Sequence, residues 1–356
     1  MSPLSLRTLT NLDPNSELGK QWEQLVSTNP ISGIMQSLYW AQAKKQQGLD
    51  TLHLGIFKSD ELIAGALFYK AKKENGTNIL IAPEGPVLPW ADQALTRELL
   101  ALILNTVQSN NDQFPAMALR IEPRLEGPIP SYLREFSRAP VDLVPRETLY
   151  IDLCLSEESL LAQMKEKGRY NIKLAQRNGI TVSEDSSVNV VDRFYTVMQE
   201  ASTRDDFALE PKSYFQNLAN NLLPGNHAKF LFSEHEGDTL GTLLLITYGT
   251  RATYLYGGIA DNKRNLMGGY ALQWQAMKLA KQAGCITYDF YGYDRFRSPD
   301  HRYARFSQFK SQFGGQPITL IGAQEYFFLD TLADTFIKVV QEVNVQTNSA
   351  PELALT

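Results

Sequence analysis

The chain has 356 residues, a formal net charge of −5, and 43% hydrophobic and 10% aromatic content. That length exceeds what one ordinary core supports, since single cores stop growing near roughly 250–300 residues, so two domains are expected. The acidic total excludes general coating of nucleic acid, and DNA with it.

No run of about 18 or more apolar residues is present, and the N-terminus has no basic segment followed by an apolar one. The chain is therefore expected in the cytoplasm, with at most peripheral membrane contact. Cys154 and Cys285 fall in apolar, strand-like segments. They are expected as buried free thiols and not as a disulfide or zinc site.

From the N-terminus, alternation over 53–57, a turn at 58–61 and a return over 62–69 predict a β-hairpin. A third apolar strand covers 79–87. Apolar residues at Leu95, Leu99, Leu100, Leu102, Ile103 and Val107 predict a helix over 95–107. A strand over 116–121 follows, and a boundary is expected near 145–148.

The same series then recurs. A hairpin is predicted from 229–233 and 240–248, a strand over 252–259, a helix over 270–283 and a strand over 286–290. The offset is roughly 170 residues throughout, about the size of one domain, so a duplicated unit is the simplest account. The order hairpin, strand, helix, strand is that of a GNAT-type acyltransferase. The expected fold is therefore α/β (α+β), with two tandem GNAT-like domains whose mixed central sheets are flanked by helices. Residues 1–150 are expected to form the first, joined by 322–356, and 151–321 the second. A helical pattern at 331–343 has no counterpart in the first half.

Hydrolase chemistry is poorly supported, since the four histidines, His53, His227, His235 and His301, accompany no Gly-x-Ser-x-Gly elbow. No His or Cys pair has metal-ligand spacing, so no metal is expected. A coenzyme A pyrophosphate loop would need Gln/Arg-x-x-Gly-x-Gly/Ala at the opening of a helix. The nearest stretch, Arg264 to Gly269, is off by one residue, and its glycines are adjacent. No cofactor is expected. Basic residues cluster twice: at Lys165, Lys167, Arg169, Lys173 and Arg177, and from Arg295 to Lys310 with interleaved aromatics. Cations mixed with stacking groups suit phosphates and unstacked bases.

A family resemblance runs through nearly the whole chain. The segment 164–180 carries Lys165, Arg169, Asn171-Ile172, Ala175 and Gly179, and 36–44 ends in Lys44. Glu84-Gly85-Pro86-Val87, Arg120-Ile121-Glu122-Pro123 and Thr203-Arg204-Asp205 follow. Tyr254-Leu255-Tyr256-Gly257-Gly258, Asp289-Phe290-Tyr291-Gly292 and Phe309-Lys310-Ser311-Gln312-Phe313-Gly314 complete the series. In this order they resemble the FemABX family of aminoacyltransferases, which add amino acids to peptidoglycan precursors. Two departures stand out: Glu84 where a basic residue is common, and Ala208 where some members carry tyrosine. No heptad-bearing insertion follows Leu160, so the coiled-coil arm of some members is absent.

The resemblance implies that a precursor amine attacks the ester carbonyl of an aminoacyl-tRNA. The implied partners are that tRNA and a UDP-linked or lipid-linked muropeptide. Glu122 and Lys310 are the implied catalytic residues, Glu122 taking a proton and Lys310 stabilising the carbonyl oxygen or a tRNA phosphate. Lys44, Arg204, Tyr254, Tyr256 and Phe309 are implied in substrate binding, with Lys44, Glu122, Arg204 and Tyr256 lining one cleft. Arg295, Arg297, Arg302, Arg305, Lys167 and Arg169 are implied in tRNA binding. An acyl-CoA-dependent N-acyltransferase and a non-catalytic precursor-binding homologue are the alternative readings.

Overall fold

A computed structural model describes residues 3–72, 78–110, 116–296 and 303–328, so the expected helix at 331–343 lies outside the described residues. The chain divides into two compact units, Met1–Val144 with Ile321–Thr356, and Pro145–Leu320.

In the first unit, β1 (Leu4–Leu9) is followed by α1 (Glu17–Thr28), α2 (Leu38–Gln46), β2 (Thr51–Lys58), β3 (Glu61–Lys72) and β4 (Asn78–Pro83). Then come α3 (Gln93–Ser109), β5 (Ala118–Glu122) and the short β6 (Ser137–Arg138). The second unit opens with β7 (Glu147–Asp152), α4 (Glu157–Gln163), α5 (Glu166–Arg177), β8 (Thr181–Asp185), α6 (Val190–Asp205) and α7 (Lys212–Leu222). It continues with β9 (Ala228–His235), β10 (Asp238–Tyr248), β11 (Arg251–Ile259), α8 (Gly268–Gln282), β12 (Thr287–Asp289), α9 (Ala304–Lys310) and β13 (Gln316–Thr319). The chain then returns to the first sheet as β14 (Gln324–Phe327).

Each unit holds one seven-stranded sheet, in the order β1-β2-β3-β4-β5-β14-β6 and β8-β9-β10-β11-β12-β7-β13. Position for position the pairings agree: all are antiparallel except β4 with β5 and β11 with β12, which are parallel. A parallel pair needs a crossover. In each unit a helix supplies it, α3 in one and α8 in the other. The sixth strand of each sheet lies outside the repeated series, β7 preceding it and β14 following it. Both sheets are thus completed by segments that sequence periodicity does not assign to them.

Side-chain caps fix several helix starts: Ser16, Ser37, Asp92 and Ser156 each accept a bond from a backbone N–H of the first turn. The apolar stripes then bury. Leu99, Leu100, Ile103 and Val107 of α3 join the first core, and Leu272, Ala276, Met277 and Ala280 of α8 join the second. Full burial of one large aliphatic side chain contributes about 1.5–3 kcal/mol.

Two expectations need correction. The strand expected over 79–87 ends at Pro83, because Glu84 turns into the left-handed region at φ 52°, and Val87 rejoins the sheet only through a bridge to Gly65. Cys154 is exposed, since it lies just past the end of β7 and not within a strand; Cys285 is buried.

The join of β14 to the first sheet contains a buried ion pair. Arg120 on β5 is fully buried, and its Nε donates to Glu325 Oε1 on β14 at 2.9 Å. Removing one partner of such a pair strands a buried charge. Glu325→Ala is expected to lower the unfolding free energy by about 3–5 kcal/mol in chemical denaturation. An unchanged midpoint would show that β14 does not complete the sheet.

Candidate active site

The parallel pairing of β11 with β12 covers only Arg251–Thr253 against Thr287–Asp289. Beyond these residues the strands part. Backbone carbonyls that lose a ladder partner must find another donor or bear the cost of desolvation. Here the donor is Lys310 at the end of α9: its Nζ donates to Phe290 O at 2.8 Å, Gly292 O at 2.6 Å and Tyr291 O at 3.4 Å. Three carbonyls match the three N–H donors of an ammonium. Lys310 is only 8% exposed, and burial lowers its pKa to about 7 against the opposing pull of Asp289. Asp289 is itself held by Thr148 Oγ1 and by Tyr291 N.

The other lip of the split is β11. Its register against β10 slips, so that Leu245 pairs with Tyr254 and Leu244 with Tyr256, leaving Leu255 as an extra residue. Simple alternation would send Tyr254 and Tyr256 to one face. With the bulge between them, Tyr254 packs on Phe290 at 6.2 Å, and Tyr256 packs on Phe215 of α7 at 5.0 Å and reaches Tyr214 Oη at 3.4 Å.

Against the Tyr254 side lies a cavity of about 420 Å³, walled by the end of α6, by Gly257 and Gly258 of β11, by the start of α8 and by α9. Arg204 and Asp205 close one side. The Arg204 guanidinium donates to Asp205 Oδ2 at 2.7 Å, Asp261 Oδ1 at 2.6 Å and Ile259 O at 2.7 Å, and the bonds to Asp205 above all raise its pKa. Phe306 and Phe309 of α9 line another side, and Phe309 packs on Tyr270 with centroids 5.1 Å apart. The α8 start follows Met267, which is held at φ 66° and lines the cavity with Gly268 and Gly269. The first N–H groups of a helix have no intrahelical acceptor.

A hollow at a splayed parallel strand pair, roofed by a helix start, is an arrangement that acyl transfer can use. Residues 19–126, 137–236 and 232–330 match the FemAB family. The chain belongs to the FemAB family. It is similar to the lipid II:glycine glycyltransferase of Staphylococcus aureus (strain MRSA252), 22% identical over 388 residues that cover 86% of this chain and 91% of that protein. Among solved structures it is similar to FemX, with TM-score 0.83 and 19% identity over 94% of this chain and 100% of that one. It is also similar in fold to a tandem GNAT protein from the clavulanic acid biosynthesis pathway, with TM-score 0.53 and 10% identity over 92% of this chain and 99% of that one. The fold is a tandem GNAT-like one, and this FemAB protein is an aminoacyltransferase.

Of the residues implied by resemblance, Arg204, Tyr254 and Phe309 line the cavity. Lys310 stands behind Tyr254, its Nζ 5.5 Å from the ring centroid. Tyr256 packs apart from them in the α7 aromatic cluster. Lys44, in the last turn of α2, and Glu122, at the end of β5, belong to the first unit; the Lys44 ammonium lies 5.7 Å from the Trp40 ring centroid. Lys167 is exposed on α5, and Arg169 turns back to the carbonyls of Ala162 and Met164 at the end of α4. Arg295 is exposed beside Phe296, itself 75% exposed. Arg297, Arg302 and the side chain of Arg305 lie outside the described residues.

Glu122 is 2% exposed. Its Oε2 accepts from Leu143 N at 2.9 Å and Val144 N at 2.7 Å, while Oε1 is buried with no partner among the described residues. Burial raises its pKa to about 7, outweighing the amide bonds and Arg120. The motifs did not point to Gln273, which lines the cavity and is buried. One signal was available: a polar residue in phase with the apolar face of a predicted helix.

A raised carboxyl pKa favours folding while the group stays protonated, so its contribution is full below the unfolded value of 4.5 and is lost as pH rises toward 7. The unfolding free energy is therefore expected to fall by up to about 3 kcal/mol more in the wild type than in Glu122→Gln between pH 4.5 and pH 8. Parallel pH profiles from denaturant titrations would refute this. For Lys310→Met, loss of the donor to three carbonyls is expected to cost about 2–4 kcal/mol in the same measurement.

Proposed function

We propose that this FemAB protein transfers an amino acid from aminoacyl-tRNA to the amine of a lipid-linked peptidoglycan precursor. The precursor's nitrogen forms a bond to the ester carbonyl carbon, and the carbon–oxygen bond to the tRNA breaks. The amine gives up a proton, and the departing tRNA oxygen ends as a hydroxyl. The observation that carries this reading is the aromatic-walled cavity at the β11–β12 split, backed by the buried cation of Lys310. Its volume suits a terminal nucleoside with its acyl group. The glycyltransferase relative is named for action on lipid II, which favours the lipid-linked acceptor over the UDP-linked one. Among the described residues no helix is long and apolar enough to cross a membrane, so such an acceptor would be met at the membrane surface.

Within this reading Lys310 gives the acyl site its positive potential through the Phe290–Gly292 backbone and Tyr254. Glu122 is the proton acceptor, with Oε1 as the receiving atom. Arg295 and Phe296, next to the segment that holds Arg297 and Arg302, are the exposed cationic and stacking pair for the tRNA end, with Arg305, Lys167 and Arg169 as further contacts. Lys44, Arg204 and Tyr256 hold the precursor.

The test is incubation with a mixed charged-tRNA pool and either lipid-linked or UDP-linked muropeptide, read by mass analysis of the muropeptide. An added aminoacyl residue that disappears after ribonuclease treatment is expected. Acylation from acyl-CoA with none from charged tRNA would overturn the reading in favour of a coenzyme A enzyme. Glu122→Gln keeps a carbonyl oxygen for the two amides and is expected to lower kcat by about 10²–10⁴-fold; an unchanged kcat would remove Glu122 from the chemistry.

A further inference from the structure

We infer that Gln273 is the fixed hydrogen-bond donor of the cavity, its side-chain amide binding the carbonyl oxygen of the acyl group that is transferred. This rests on the aminoacyl-ester reading of the cavity above. Gln273 sits on α8 among core residues, is 2% exposed, and yet lines the cavity.

A carboxamide carries one acceptor oxygen and two N–H donors. Its oxygen is spent: Oε1 lies 2.6 Å from Tyr288 Oη. Tyr288 on β12 is fully buried, and its hydroxyl has no other acceptor among the described residues. The phenol proton therefore goes to Oε1, which fixes the orientation of the amide and leaves Nε2 for the cavity. Nε2 has no partner among the described residues. An acceptor bound in the cavity would give it one, and such a bond typically contributes about 0.5–1.5 kcal/mol.

The direction of the side chain fits this role. Side chains of a helix lean toward its N-terminus, and residues four apart lie on one face. Gln273 thus leans toward Gly269, one turn earlier. A Cβ at Gly269 would stand 2.9 Å from Ile259 Cδ1 and 3.7 Å from Phe309 Cζ, so glycine lets this part of the wall pack closely on Ile259. Gly268 and Gly269, at the start of α8, bring to the same wall N–H groups that have no intrahelical acceptor.

An N–H donor selects an oxygen acceptor and cannot receive a bond from an ammonium, so the amide suits the carbonyl end of an aminoacyl group and not its amine. Tyr254 also brings a hydroxyl to the cavity with no partner among the described residues. That hydroxyl can turn about its own bond, whereas the amide of Gln273 is locked.

The test uses two probes: glycine amide-linked to 3′-amino-3′-deoxyadenosine, and the same compound with its carbonyl oxygen replaced by sulfur, a poor acceptor. Affinities are measured by calorimetry for wild type, Gln273→Met, Tyr288→Phe and Tyr254→Phe, with thermal unfolding as a check on folding. Wild type is expected to prefer the oxygen probe, and Gln273→Met to bind it about tenfold more weakly and to lose the preference. Tyr288→Phe, which deletes one hydroxyl and keeps Gln273, is expected to fall between them, and it decides the matter should Gln273→Met unfold. An unchanged preference in both of these variants, or its loss in Tyr254→Phe alone, overturns the inference. If wild type binds neither probe but accepts charged tRNA, kcat/KM for charged tRNA replaces affinity, and an unchanged value in Gln273→Met overturns the inference alone. A wild type that binds neither probe and transfers nothing from charged tRNA overturns the aminoacyl reading, and this inference with it.

Discussion

The second unit is organised around the bond set of one buried ammonium. Where β11 and β12 separate, the backbone from Phe290 to Gly292 loses its strand neighbour, and Lys310 closes that gap by donating to three carbonyls. A side chain can replace a strand here only because it brings several donors on one atom. The replacement keeps the split open, and the space beside Tyr254 becomes usable. The cost is a desolvated cation, eased by Asp289 and by the faces of Tyr254 and Tyr303, whose centroids lie 5.5 and 6.0 Å from the ammonium.

The first unit shows the same topology with the split closed. There β4 and β5 stay paired through Pro83 and Glu122, and Glu122 N extends the contact to Gly85 O at 3.1 Å. Glu122 and Asp289 end equivalent strands, β5 and β12, and both carboxylates accept backbone N–H groups, Asp289 from Tyr291 just beyond its strand and Glu122 from Leu143 and Val144 in the segment before β7. Asp289 has Lys310 as a compensating charge. Glu122 has the weaker help of Arg120, which is itself bonded to Glu325, and burial shifts its carboxyl upward. Duplication thus produced two strand-end carboxylates, one beside a lysine that closes its strand split and one beside an arginine already bonded to Glu325.

Much of this fold is legible in the sequence because its signals are local. Period-two alternation gives β2 with β3 and β9 with β10, and 3.6-residue periodicity gives α3 and α8. What escapes is non-local. β7 and β14 are short and carry no pattern that says which sheet they join. The extra residue at Leu255 is invisible, because a bulge is defined by the partner strand and not by its own composition. That one residue separates Tyr254 from Tyr256, which a reading by motif places together. Cys154 fails for a related reason: apolar neighbours suggest a strand interior, but β7 stops two residues earlier, at Asp152. Gln273 was legible in principle, as a polar residue in an apolar phase, but only the Tyr288 bond shows which of its atoms is left for a ligand.

The polar groups around the cavity also bear on the acyl donor proposed for it. Arg204 enters the wall already paired with Asp205 and Asp261, so its charge is largely compensated and its geometry fixed. Lys310 is turned to backbone carbonyls. What else lines the cavity is the exposed Arg264 and a set of neutral donors, from Gln273, Tyr254 and the start of α8, set among Leu243, Leu272, Tyr270 and Phe309. A pyrophosphate needs uncompensated positive charge or a nest of amides with correctly spaced glycines, and the stretch from Arg264 to Gly269 departs from that spacing. An uncharged ester beside a nucleoside needs fixed neutral donors and aromatic surface. The aromatic wall and its fixed neutral donors suit the aminoacyl ester proposed above, and the stretch that brings Arg264 to the wall departs from the glycine spacing of a coenzyme A loop.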